Sequence, residues 1–239
     1  MNQYVNPFVV AAAKPETRAD FYRKTYMLTA FACAAFGLLL AGVLALPAVV
    51  NPLTNLFFGS GAIGWLLVLG AFWLISMFAN RLAFGGATAG TQLAGLGIYI
   101  VAEALLFAPI LNVILLRFGD AALTEIVAPA AVSTLLLAGG ITATVFMTKK
   151  DFSFLRAFVT IGFFVALGAI IVTALFGAGM STWLIVALTV FIAITVLYQT
   201  WQVRTQFRPD QYVGAALIIF AGIATLFWYL VMLFASRRE

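Results

Sequence analysis

Seven long apolar stretches, at about residues 25–47, 61–79, 88–111, 123–146, 153–176, 181–203 and 211–235, dominate the chain and restrict its solvent. A stretch of about 20 apolar residues is the length that crosses the hydrocarbon of a bilayer, and seven of them use about 140 positions. The breaks between them carry Pro47, Asn51 and Pro52, then Asn80 and Arg81, then Arg117, Gly119 and Asp120, and later Lys149 to Asp151, Gly177 with Gly179, and Arg204 to Asp210. Such residues punctuate helices and reach water. Only 9% of the 239 residues are charged and 64% are hydrophobic. A soluble globular chain carries roughly 25% charged residues, so this one cannot cover a water-facing surface. The fold class expected is an all-α polytopic membrane protein of seven transmembrane helices. Its parts are a cytoplasmic tail at 1–24, helical after Pro15, a membrane domain at 25–236 and a short tail at 237–239.

Basic residues set the orientation. The N-terminal tail and the loops on its side hold Lys14, Arg18, Arg23, Lys24, Arg81, Lys149, Lys150, Arg156, Arg204 and Arg208, against Arg117, Arg237 and Arg238 on the other side. That bias places the N-terminus in the cytoplasm and, after an odd number of crossings, the C-terminus outside, in a cell inner membrane. The Arg237–Arg238 pair runs against it, as it would if the last segment did not fully cross. The net charge of +5 is explained by this asymmetry and needs no nucleic acid. The first apolar stretch is too long for a cleaved signal.

The absence of histidine removes the commonest metal ligand, and the single Cys33 allows no disulfide framework. No paired intramembrane carboxylates, nucleophile motif or phosphate loop is present, so neither catalysis, a resident metal nor a cofactor is expected. In lipid, small residues let helices approach, and Gly86-x-x-x-Gly90, Gly95 and Gly97 mark the third span as a central helix.

Ionisable residues within a span are functional candidates. Glu103 lies in mid-span, and Gln92 and Tyr99 share its face at 100° per residue. This stripe is either the lining of a cation passage, with Glu103 gating or carrying the ion, or a neutral Glu bonded to a neighbouring helix. In the sixth span Gln199, within Tyr198-Gln199-Thr200, is either a pore residue or interhelical glue.

Three segments together resemble the Bax inhibitor family, also called the TMBIM or lifeguard family, in its bacterial YccA-like branch. Thr148-Lys149-Lys150-Asp151-Phe152-Ser153-Phe154-Leu155 is similar to the segment between its fourth and fifth helices. Leu197-Tyr198-Gln199-Thr200 is similar to its Leu-Tyr-Asp-Thr signature, and Tyr212 to Leu217, running on to Phe227, is placed like its last helix. The resemblance implies six helices around a central one and a pH-sensitive calcium leak gated by two aspartates sharing a proton. Here Gln199 stands at the first aspartate position and Gly222 best matches the second, so the gating aspartates are missing. Two functions follow. One is a cation (calcium) leak with altered or lost pH gating. The other is a non-conducting interaction protein that binds a larger complex such as an FtsH-type quality-control protease, with the polar N-terminal tail as its handle.

Overall fold

The computed structural model describes residues 8–59, 61–85, 88–119, 121–148, 150–176 and 181–238. Among these residues it contains α-helices and no strand: α1 (Pro15–Leu44), α2 (Pro47–Thr54), α3 (Gly61–Gly85), α4 (Ala89–Phe118), α5 (Ala128–Met147), α6 (Leu155–Phe176), α7 (Thr182–Thr205) and α8 (Tyr212–Ser236). Seven of them are long and apolar enough to cross a membrane. Within lipid the backbone has no water to bond, so helices that satisfy every internal N–H and C=O are the available solution.

Local chemistry sets the ends. Pro15 occupies the first turn of α1, where its missing N–H costs nothing. The Thr88 hydroxyl caps α4 by accepting from the Thr91 N–H at 3.2 Å. Gly119, at φ +65°, terminates α4 in a conformation that a side chain would oppose. The break at Pro47 to Pro52 is not a simple loop. Pro47 opens α2 from its first turn, and a π-helical turn (Asn55–Gly59) carries the chain on toward α3. A second π-helical turn (Leu123–Val127) leads into α5.

The chain divides into two compact units, residues 1–120 with 205–220, and residues 121–204 with 221–239. In the first, α4 crosses α3 so closely that a Cβ on Gly95 would stand 2.6 Å from the Ala79 carbonyl oxygen and 2.7 Å from the Ala83 nitrogen. Gly95 thus does what close helix approach in lipid requires. Gly97 has open space around it, and Gly86 lies outside the described residues. The Phe36 ring of α1 packs edge-on against Phe107 of α4 at 5.3 Å and against Phe220 of α8 at 5.8 Å. The N-terminal segment is tied down as well. Val10 is fully buried, and its N–H donates to the Phe207 carbonyl at 2.7 Å. Half of the most apolar stretch of α4, and of α8, is buried, against 6% in α6. The third span is therefore one of the two most enclosed helices.

In the second unit, Arg238 forms an ion pair with Glu125 within the π-helical turn before α5. Arg238 thus has an acidic partner, and α8 continues as an unbroken helix to Ser236.

Candidate functional site

The two polar positions singled out in the sequence fall in different units, and each has its own surroundings. On α7, Gln199 points at α8. A Cβ on Gly222 would stand 2.6 Å from its Oε1 and 2.9 Å from Val196 Cγ2. That amide oxygen is buried and accepts no hydrogen bond. Gly222 is therefore needed for space, because any side chain would displace the amide. Thr200, buried next to it in sequence, spends its hydroxyl on its own helix, donating to the Val196 carbonyl at 2.8 Å.

The remaining motif residues build the junction of α5, α6 and α7. Tyr198 stacks on Trp201 with ring centroids 5.8 Å apart and planes 24° apart. Both rings belong to a buried cluster with Val145 and Leu155, edged by Phe152, Val159, Ile194 and Leu197. Asp151 starts the turn into α6 by accepting from the Ser153 N–H at 2.8 Å. Lys150 is exposed, and Lys149 lies outside the described residues. The motif segment is thus an architectural joint that buries Leu155 with Phe152 at its edge, while Lys150, Asp151 and Phe154 are exposed.

Arg204 completes this joint. Its guanidinium donates to the Val145 carbonyl and, at 2.9 Å, to the Thr148 carbonyl, and it lies over the Phe146 ring at 5.9 Å. It satisfies carbonyls left over at the C-terminal end of α5, where a cation also meets the negative end of the helix dipole. In the sequence Arg204 reads only as a marker of the cytoplasmic side. Its position at the end of the sixth span, facing the Thr148 segment, was the available signal.

Glu103 stands in the first unit. It is 4% exposed, on the buried side of α4, and the Tyr99 hydroxyl one turn earlier lies within hydrogen-bonding reach of its carboxyl group. The Tyr99 ring is itself packed, 6.1 Å from Phe72 and 6.2 Å from Phe220. Gln92 shares the helix face but not the site. It is half-buried, and eleven residues at 1.5 Å each separate it from Glu103 by roughly 16 Å along the axis. The structure therefore joins Tyr99 to Glu103 and leaves Gln92 apart. Ser76 of α3, unremarked in the sequence, has a buried hydroxyl with no hydrogen-bond partner. No group of three or more His, Cys, Asp or Glu that could hold a metal ion is assembled among the described residues.

The family model described as "Inhibitor of apoptosis-promoting Bax1" matches residues 18–239, nearly the whole helical chain. The chain belongs to the Bax inhibitor family. "Uncharacterized protein PA2604" of Pseudomonas aeruginosa is similar to it, 34% identical over 128 residues, which is 53% of this chain and 55% of that protein. The chain thus spans about half the length of this relative. No solved structure gives a significant match. As a Bax inhibitor family protein, the chain is a multi-pass membrane protein.

Proposed function

We propose that this protein is an inner-membrane member of the Bax inhibitor family that works by packing against other membrane proteins and has lost acid-gated calcium release. Its N-terminus lies in the cytoplasm and its C-terminus outside, as the basic residues and the odd number of crossings favour. The observation that carries the reading is the contact of Gln199 with Gly222, where a Cβ would be 2.6 Å from the amide oxygen. A switch built on two carboxylates works because like charges at short range cannot both ionise, so the pair takes up a proton as pH falls. An amide beside a glycine has neither group and no charge to change. A scaffold has no need of them.

The larger complex implied by the family resemblance is an FtsH-type protease. The surface offered to it is the exposed polar stretch from Lys14 to Thr17, since Val9 and Val10 just before it are buried. Purification in mild detergent tests this. The expected result is co-elution of a protease complex that is lost when the charges of the exposed Lys14 and Glu16 are reversed (Lys14→Glu, Glu16→Lys). A protein that elutes alone at every step removes the reading.

One observation favours a second reading, a cation leak. Glu103 is a carboxyl group 4% exposed in mid-helix beside the Tyr99 hydroxyl, and such residues mark ion paths in other membrane proteins. Calcium-dye liposomes holding the wild type or Glu103→Gln separate the two. The scaffold reading expects no flux from either at pH 6 or pH 8. Flux that disappears in Glu103→Gln establishes the leak instead.

A further inference from the structure

From Thr25 to Asn80 the chain carries no charged residue, although it leaves one span and enters the next within this stretch. The twenty residues from Thr25 to Leu44, helical throughout, extend about 30 Å, which is the hydrocarbon thickness. The chain therefore reaches the far interface at the end of α1, and α2 begins there. With its π-helical turn, α2 covers 13 residues from Pro47 to Gly59, about 20 Å, too short to cross again.

Its residues, with the Leu46 cap, divide into three sectors by exposure and side-chain chemistry. Val50 and Phe57, each 2% exposed, face inward. Thr54 adjoins them and receives a hydrogen bond from Asn112 Nδ2 of α4 at 3.0 Å, while its own hydroxyl donates to the Val50 carbonyl at 2.7 Å. Leu46, Val49 and Leu56 form a second sector, exposed and apolar. Ala48, Asn51 and Asn55 form a third, exposed and lined by amides, with exposed Phe58 at its edge, where an aromatic ring suits a membrane interface. Pro52 lies inside α2 and has no N–H to offer the Ala48 carbonyl, which falls in this amide sector. A carbonyl short of its helical donor is tolerated where headgroups or water reach it, not in hydrocarbon.

We propose that α2 is an interfacial helix that binds the boundary between lipid headgroups and acyl chains on the face opposite the N-terminus. Leu46, Val49 and Leu56 enter the acyl region, Asn51 and Asn55 meet the headgroups, and the Asn112–Thr54 bond locks the helix to α4. Lipid is the occupant favoured by an uncharged segment with an apolar side and an amide side, which is the pattern of a helix lying in the interface.

The test uses nitroxide labels at Val49→Cys or Asn51→Cys in a Cys33→Ala background, in phosphatidylethanolamine–phosphatidylglycerol vesicles. Collision with oxygen reports the apolar phase and collision with a water-soluble nickel chelate reports the aqueous one. Controls are labels at the exposed Leu66 of α3 and at Arg208 in the α7–α8 loop. The expected oxygen-to-nickel ratio is roughly fivefold or more higher at 49 than at 51, with 49 approaching the Leu66 control. Equal ratios at 49 and 51 overturn the proposal: both like Arg208 makes α2 an aqueous loop, and both like Leu66 makes it a segment sunk in hydrocarbon. Both labels replace exposed side chains, and the retained α-helical circular dichroism of each variant checks that it is folded.

Discussion

The amide oxygen of Gln199 fills the space that a side chain on Gly222 would need, 2.6 Å from the position of its Cβ. Neither residue alone carries this information, because Gln199 is one polar residue in an apolar helix and Gly222 is one of 20 glycines.

The obstruction at Gly222 comes from the end of a flexible side chain and from one methyl group of Val196. Gly222→Ala is therefore expected to cost only about 1–2 kcal/mol, since the amide can swing aside at the expense of some local strain. Gln199→Ala should relieve much of that cost, giving a coupling of about 1 kcal/mol in a double-mutant cycle measured by unfolding in detergent. Strictly additive effects would disprove the contact.

Gly95 presents the opposite case. Its obstruction is the backbone of α3 at Ala79 and Ala83, which cannot move without shifting the helix. Gly95→Ala should cost about 3 kcal/mol or more, the upper part of the range for overpacking. Gly97→Ala, with nothing within 4 Å, should be neutral or stabilising by up to about 1 kcal/mol, because alanine is the better helix former. Thermal unfolding of the two variants side by side reads the difference.

At Arg204 the guanidinium serves two carbonyls at once, at Val145 and Thr148. Arg204→Met keeps most of the apolar stem and removes the donors, so the loss should be about 1–3 kcal/mol. Arg204→Lys should fall between, since a single ammonium cannot reproduce the fork. Hydrogen exchange should quicken first in the last turn of α5. Uniform acceleration along the chain would count against a local role.

Two contacts locate the ends of the chain. The Val10 N–H bonds the Phe207 carbonyl, which puts the N-terminal segment beside the α7–α8 loop, and Arg238 pairs with Glu125, which puts the C-terminus beside the start of α5. Seven crossings predict ends on opposite faces. Reporter fusions at the two termini, one active only outside the cytoplasm, should give opposite signals. Equal signals would require an even number of crossings.

Much of this was legible without coordinates. The apolar runs were located to within a few residues at most ends, α1 begins at Pro15 as expected, and Gly95 is the packing glycine of the third span. The segment at 47–59 was less legible, because two prolines and two asparagines read as a break. Pro47 in the first turn in fact starts a helix, and Pro52 in a helix of eight residues removes a single internal bond.

The sequence by itself determined the solvent, the count of long helices and the family, because these depend on how many apolar residues stand in a row and on short segments read in order. Tertiary structure alone decided which polar groups meet. Helices that are apolar all round show lipid and protein the same face, so hydropathy contains no contact information. Tyr99 and Glu103 are one turn apart and could be paired on paper. Arg204 and Val145 are 59 residues apart, and only the packing of α7 against the end of α5 brings that charge to those carbonyls.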